Sequence, residues 1–137
     1  MNELRKSYHQ ELLELRAEIA GIGASVVEMI PRGTQILLDG DLEGADYLIM
    51  SDDAIDRRCA DVEERCYRLF ALQQPMASDL RALIAAIKLV SEIERSAGLV
   101  VNICKAARRI YGRPIPPKVR GVIGRMSEQA AQIYGCA

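Results

Sequence analysis

Leu4, Tyr8, Leu12, Leu15, Ile19, Ile22, Val26 and Met29 follow one another at steps of three and four, the spacing that keeps apolar side chains on one face of an α-helix. The stripe predicts one helix over residues 3–39. Pro31 falls inside it and lacks the backbone donor a helix interior needs, so it is expected to bend the axis. The tripeptide DGD at 39–41 closes the segment: Gly40 can take the left-handed conformation, and Asp41 can cap the next helix. A second stripe, Leu42, Ala45, Ile49, Ile55, Cys59, Val62, Cys66 and Leu69, predicts a helix over 42–72 and is interrupted by Asp52. A third, Leu80, Leu83, Ile87, Val90, Ala97, Val101 and Cys104, predicts a helix over 75–112 and is interrupted by Glu94. RPIPP at 113–117 stops it, because proline and the residue before it both resist helical dihedrals. A shorter fourth stripe, Val119, Ile123, Met126, Ala130 and Ile133, follows.

The corner QQPMASDLR, residues 73–81, separates the second and third stripes. Pro75 suits the first turn of a helix, where its missing N–H is one of the unpaired donors anyway, and Ser78 and Asp79 lie near the positive helix end. Short connections force consecutive helices to pack side by side. The expected fold is all-α: an elongated antiparallel three-helix bundle over residues 1–112, then a proline-rich connection and a fourth helix over 113–137. That last helix cannot bury its own stripe. It is expected either to pack onto the first three or, the favoured outcome, to meet a second chain in a homodimer.

Composition narrows the picture. Half of the 137 residues are apolar, with no Trp and one Phe, which fits an aliphatic helical core in one domain. With 18 basic against 19 acidic side chains, no net field draws the molecule to nucleic acid or anionic lipid. The cluster Lys105, Arg108, Arg109, Arg113, Lys118 and Arg120 reads better as a solvated face than as a docking patch. The opening MNELRKSYHQ has no apolar leader, and no stretch approaches the roughly 20 apolar residues that span a bilayer, so a cytoplasmic protein is expected. Cys59, Cys66, Cys104 and Cys136 form no CxxC pair. Cys59 and Cys66 stand about 10 Å apart along one helix, so free, buried thiols are expected. His9 belongs to no recognisable catalytic constellation and no GxxxxGK[ST] loop is present; no enzyme is expected. GIGAS at 21–25 lies inside a helical stripe, where close helix packing explains its glycines.

The run LQQPMASDLRALIAAIKLVSEIER, residues 72–95, resembles the centre of the PhoU family, regulators of bacterial phosphate uptake whose repeats carry a similar QP-ADLR corner and I-K-ER helix. The likeness extends through DDAID at 52–56, VVNICKAARR at 100–109 and the PIPP connection. Family members have two three-helix repeats, and this chain supplies one repeat and what resembles the first helix of a second. The resemblance implies a non-catalytic adaptor. Its partners would be the ATPase subunit of the phosphate ABC transporter and a phosphate-sensing histidine kinase, and it would repress phosphate uptake and the starvation response when phosphate is plentiful. It would lie in the cytoplasm or at the inner face of the membrane through the transporter. Asp79 and Arg81, at the corner, are the candidate partner-binding residues.

The family's chemical signature is an acidic i, i+4 pair on helices two and three that binds metal in several members. Asp52 and Asp56 match the first pair, one turn apart on one helix face. On helix three Glu94 is present, but Gly98 stands where the second acid would be. Little tightly bound metal is therefore expected, and any weak divalent site would use Asp52, Asp56 and Glu94. The competing reading makes Asp52 and Glu94 structural carboxylates, solvated or paired with basic groups such as Arg57 or Arg95. Gly98 itself suggests close approach of another helix. A helical carboxylate metal-binding protein and a structural oligomerisation module are the alternatives to the adaptor.

Overall fold

The computed structural model describes residues 2–73 and 77–136 and contains four helices: α1 (Asn2–Asp39), α2 (Leu42–Gln73), α3 (Ala77–Arg109) and α4 (Pro117–Cys136). No strand occurs among the described residues. The expected start of the third helix at Pro75, and the side chain of Leu4, lie outside the described residues. Helices α1, α2 and α3 pack pairwise as an antiparallel bundle, each about 50 Å long at 1.5 Å per residue.

The stripes become the core. Leu15, Ile22, Val26, Val62, Leu83 and Val90 are fully buried, joined by the thiols of Cys59, Cys66 and Cys104. Leu48, Ile93, Val100 and Ala107 widen the buried faces beyond the predicted stripes, because each helix meets two neighbours. Cys136 is exposed, against the expectation of four buried thiols; it sits in the last turn of α4, which has no buried residue.

The α1–α2 turn forms as its residues require. Gly40 takes φ 64°, the Asp41 amide donates to the Ile36 carbonyl at 3.1 Å, and the Asp41 carboxylate accepts the Gly44 amide at 3.0 Å. α3 ends three residues before the predicted 112. Ile110 and Tyr111 turn out of the helix, Gly112 takes φ 81°, and the Arg113 amide closes onto the Ile110 carbonyl. Pro117 then occupies the first position of α4, where its fixed φ is already helical.

The fourth helix packs onto the bundle within the same chain, through α1 and neither of the other two helices. Thr34, buried on α1, bonds the Ile30 carbonyl and the Ser127 hydroxyl, each at 2.8 Å, and Arg120 donates to the Leu38 carbonyl at the α1 C-terminus. α1 has no basic residue in its own last turn, so Arg120 supplies the cation that end favours. The predicted stripe on α4 is largely unburied: Val119, Met126 and Ile133 remain exposed, while Ile123, Ser127 and Tyr134 face α1.

Among the glycines, Gly33 carries the close packing. A Cβ there would stand 2.7 Å from Val100 Cγ1 and 3.7 Å from Leu48 Cδ2. A Cβ at Gly98 would meet nothing of this chain within 4 Å, so the close approach inferred from the sequence is not made by another helix of the same chain. In GIGAS, Gly21 lies beneath the Arg58 guanidinium, which bonds Glu18 at 3.0 Å and ties α2 to α1, whereas Gly23 has ordinary contact with Ile93.

Candidate functional site

Asp52 and Asp56 stand one turn apart on α2 and Glu94 reaches toward them from α3, all three half-buried where the apolar seam is interrupted. Burial raises the Glu94 carboxyl above the usual carboxylate range, and the charges of Asp56, Glu63 and Asp52 raise it further, together with a side-chain hydrogen bond to Asp56. Asp52 is raised by burial and then by Asp56 and Asp53, with Lys105 opposing. Its Oδ1 is enclosed and has no hydrogen-bond partner. Cys59, beneath them, has its thiol pushed up to about 11, by burial first and then by Glu94, Asp56 and Glu63.

Three predicted residues are thus brought together, and two unpredicted ones join them. Glu63 lies seven residues beyond Asp56, two turns along the same face, a spacing visible in the sequence. Lys105 is one turn below Val101 on α3, and no one-dimensional pattern connects it to Asp52. The suggested partners Arg57 and Arg95 turn elsewhere: Arg57 donates to the Asp53 carbonyl at 3.2 Å, and Arg95 pairs with Glu92 at 3.1 Å. The group consists of carboxylates held near one another with a single cation opposing.

The donors are hard oxygens suited to a divalent ion, and the orphaned Asp52 Oδ1 is the atom such an ion would take. Their placement is another matter. Among the described residues, no three histidine, cysteine, aspartate or glutamate side chains converge as metal ligands do. The position one turn beyond Glu94, where a further acid would close the set, is Gly98 with open space above it.

At the bundle end where α3 begins, Asp79 is half-buried in the first turn of α3 and Arg81 is exposed. Burial, then Asp79, then Cys66 raise the Tyr8 hydroxyl, whose oxygen is enclosed without a partner, so Asp79 faces α1. Arg81 makes no ion pair or hydrogen bond among the described residues and points its charge to solvent.

The PhoU domain family model matches residues 19–107, from the middle of α1 to the end of α3 and therefore both carboxylate-bearing helices. The chain belongs to the PhoU family. It is 35% identical over 134 residues to the phosphate-specific transport system accessory protein PhoU homolog 1 of Mycobacterium leprae, covering 95% of this chain and 59% of that protein. To the PhoU homolog of Aquifex aeolicus it is 36% identical over 119 residues, 87% of this chain and 53% of that one. The crystal structure of the phosphate transport system regulatory protein PhoU from Streptococcus pneumoniae superposes with a TM-score of 0.84 at 27% identity, over 93% of this chain and 59% of that one. The chain thus spans between half and two thirds of the length of these PhoU relatives. The superposed share of this chain exceeds what α1 to α3 and the connection supply, so the likeness extends into α4.

Proposed function

We propose that this chain is a regulatory adaptor of phosphate uptake, coupling the ATPase subunit of the phosphate ABC transporter to a phosphate-sensing histidine kinase and restraining the starvation response when phosphate is plentiful. The observation that carries the reading is the family membership over α1 to α3, joined to relatives named as accessory proteins of a phosphate-specific transport system. An accessory protein acts by contact, and catalysis is not part of the reading. No helix among the described residues is long and apolar enough to cross a membrane. In this reading the adaptor works in the cytoplasm, reaching the membrane through the transporter.

The bundle end carrying Asp79 and Arg81 is the docking surface in this reading. Arg81 is exposed there and makes no ion pair among the described residues, so binding it to an acidic group costs no existing bond. Asp52, Asp56 and Glu94 would serve at most as a weak cation site completed by water, for the reason given by Gly98. Affinity capture of the tagged protein from its host, grown in high phosphate, tests the adaptor reading: the transporter ATPase and the kinase are expected in the eluate. Recovery of neither would remove it.

A further inference from the structure

Helix α4 packs on α1, so the outer seam between α2 and α3 lies on the other side of the bundle from it. The hydrogen bond between Asp56 and Glu94 fixes the antiparallel register of that seam. Carried toward the α2–α3 corner, the register sets Ile87 across from Glu63, Ile84 across from Tyr67 and Leu80 across from Phe70. On α2, Asp56, Glu63, Tyr67 and Phe70 follow at steps of seven, four and three, and on α3 Glu94, Ile87, Ile84 and Leu80 follow at seven, three and four. Each set therefore keeps to the helix face that carries its carboxylate. Tyr67 is 57% exposed, Phe70 44% and Ile84 42%.

The two halves of this face differ in character. The half near the corner is aromatic and aliphatic and stands open to solvent, a kind of patch that marks an interaction site when it is contiguous. The other half is acidic. Among the described residues Asp56, Glu63 and Glu94 make no ion pair: Arg95 is held by Glu92, Lys105 stands against Asp52, and Lys88 lies further round α3 toward solvent. Gly98, one turn past Glu94 on the same face, leaves open space where a side chain would stand, and an approaching helix can come close there.

We propose that the α2–α3 face docks an amphipathic helix of a partner protein, with apolar side chains against Tyr67, Phe70 and Ile84 and a lysine or arginine among Asp56, Glu63 and Glu94. From Phe70 to Asp56 the face runs about 21 Å, four turns of helix, so the partner carries its cation roughly ten residues along from its apolar anchors. Apolar anchors beside a charged group that finds its opposite are what a helix lying in a shallow groove uses for affinity and register. Charge selects the occupant: three unpaired carboxylates favour a cationic segment and repel anionic lipid and nucleic acid. Gly98 then has its neighbour, a helix that belongs to another protein. The inference does not rest on the phosphate-adaptor reading.

Fluorescence anisotropy with two labelled helical peptides of about 18 residues, or five turns, tests it. Both carry the same leucine stripe, one with lysine and the other with glutamate at the flanking positions. EDTA keeps divalent ions out, and circular dichroism verifies that each variant remains folded. The 137-residue chain is expected to bind the lysine peptide saturably and the glutamate peptide at least about tenfold more weakly. Phe70→Gln and Ile84→Gln, on the two walls of the face and outside the core, and Glu63→Lys should each weaken the lysine peptide by about tenfold or more. Leu89→Gln, exposed between α1 and α3, and Met50→Gln, exposed on the outer side of α2, should leave it bound as before. No binding of the lysine peptide, equal binding of both peptides, or a loss through Leu89→Gln with none through Phe70→Gln would overturn the proposal. So would Phe70→Gln disrupting self-association of the chain in sedimentation equilibrium, which would assign the face to a second copy.

Discussion

Gly33 and Gly98 both lie in helix interiors, where glycine costs about 1 kcal/mol relative to alanine, yet their surroundings are opposite. A methyl at Gly33 would press on Val100, held in the core with little room to retreat, and overpacking of that kind costs about 1–3 kcal/mol. At Gly98 the methyl meets open space. Gly33→Ala is therefore expected to lower the melting temperature and Gly98→Ala to raise it, the latter by about 2–4 °C in a domain of this size. Thermal denaturation of the two variants checks both signs.

The Glu94 carboxyl carries a second consequence at this scale. Its folded value is raised, so the folded protein keeps a proton that the unfolded chain releases as pH climbs past about 4. The associated stability is full below that pH and is lost as pH rises through the folded value. Glu94→Gln removes the charge that is disfavoured at neutral pH. It should raise the melting temperature at pH 7.5 and leave it unchanged at pH 4; an equal change at both would place the effect outside titration. Likewise Gly98→Asp, which has space for its carboxylate, should increase metal retained after chelator-free purification, as measured by elemental analysis, while the unmodified protein retains little.

Among the elements, α1, α2 and α3 were legible because each buries one face along its length, and burial of one face is what periodicity records. The turn at Gly40 and Asp41 was legible for a local reason, since backbone sign and a short capping side chain decide it. α4 was legible as a helix, and packing onto the bundle was one of its two expected outcomes, but the face that makes the contact was not legible. Periodicity marks a helix as amphipathic without saying which direction holds its neighbour, and here a polar contact through Thr34, Ser127 and Arg120 placed the helix on α1. The same blindness hid Gly33, whose reason lies on two other helices. Of the carboxylate group, Asp52 and Glu94 were visible as polar breaks in apolar stripes and Asp56 only through the acidic pair of the resembled family, whereas the role of Lys105 needs the α2–α3 register. One test follows from the placement of α4. Cys136 is exposed at its end while Cys59, Cys66 and Cys104 are buried, so a thiol reagent at pH 8 should modify one cysteine rapidly and three only on unfolding. Rapid modification of Cys59 would contradict both its burial and its raised pKa, about 11.

For the whole molecule, the bundle end at Asp79 and Arg81 offers charge to a partner in this account. Arg81→Glu should abolish capture of the transporter ATPase or the kinase with helicity, read by circular dichroism, unchanged. The regulatory role itself is tested most directly in the host, by deleting the gene and measuring transcripts of the phosphate-starvation genes in high phosphate. The account predicts that these genes are released in the deletion strain and silenced again when the intact gene is returned. Starvation genes that stay silent in the deletion strain would contradict it.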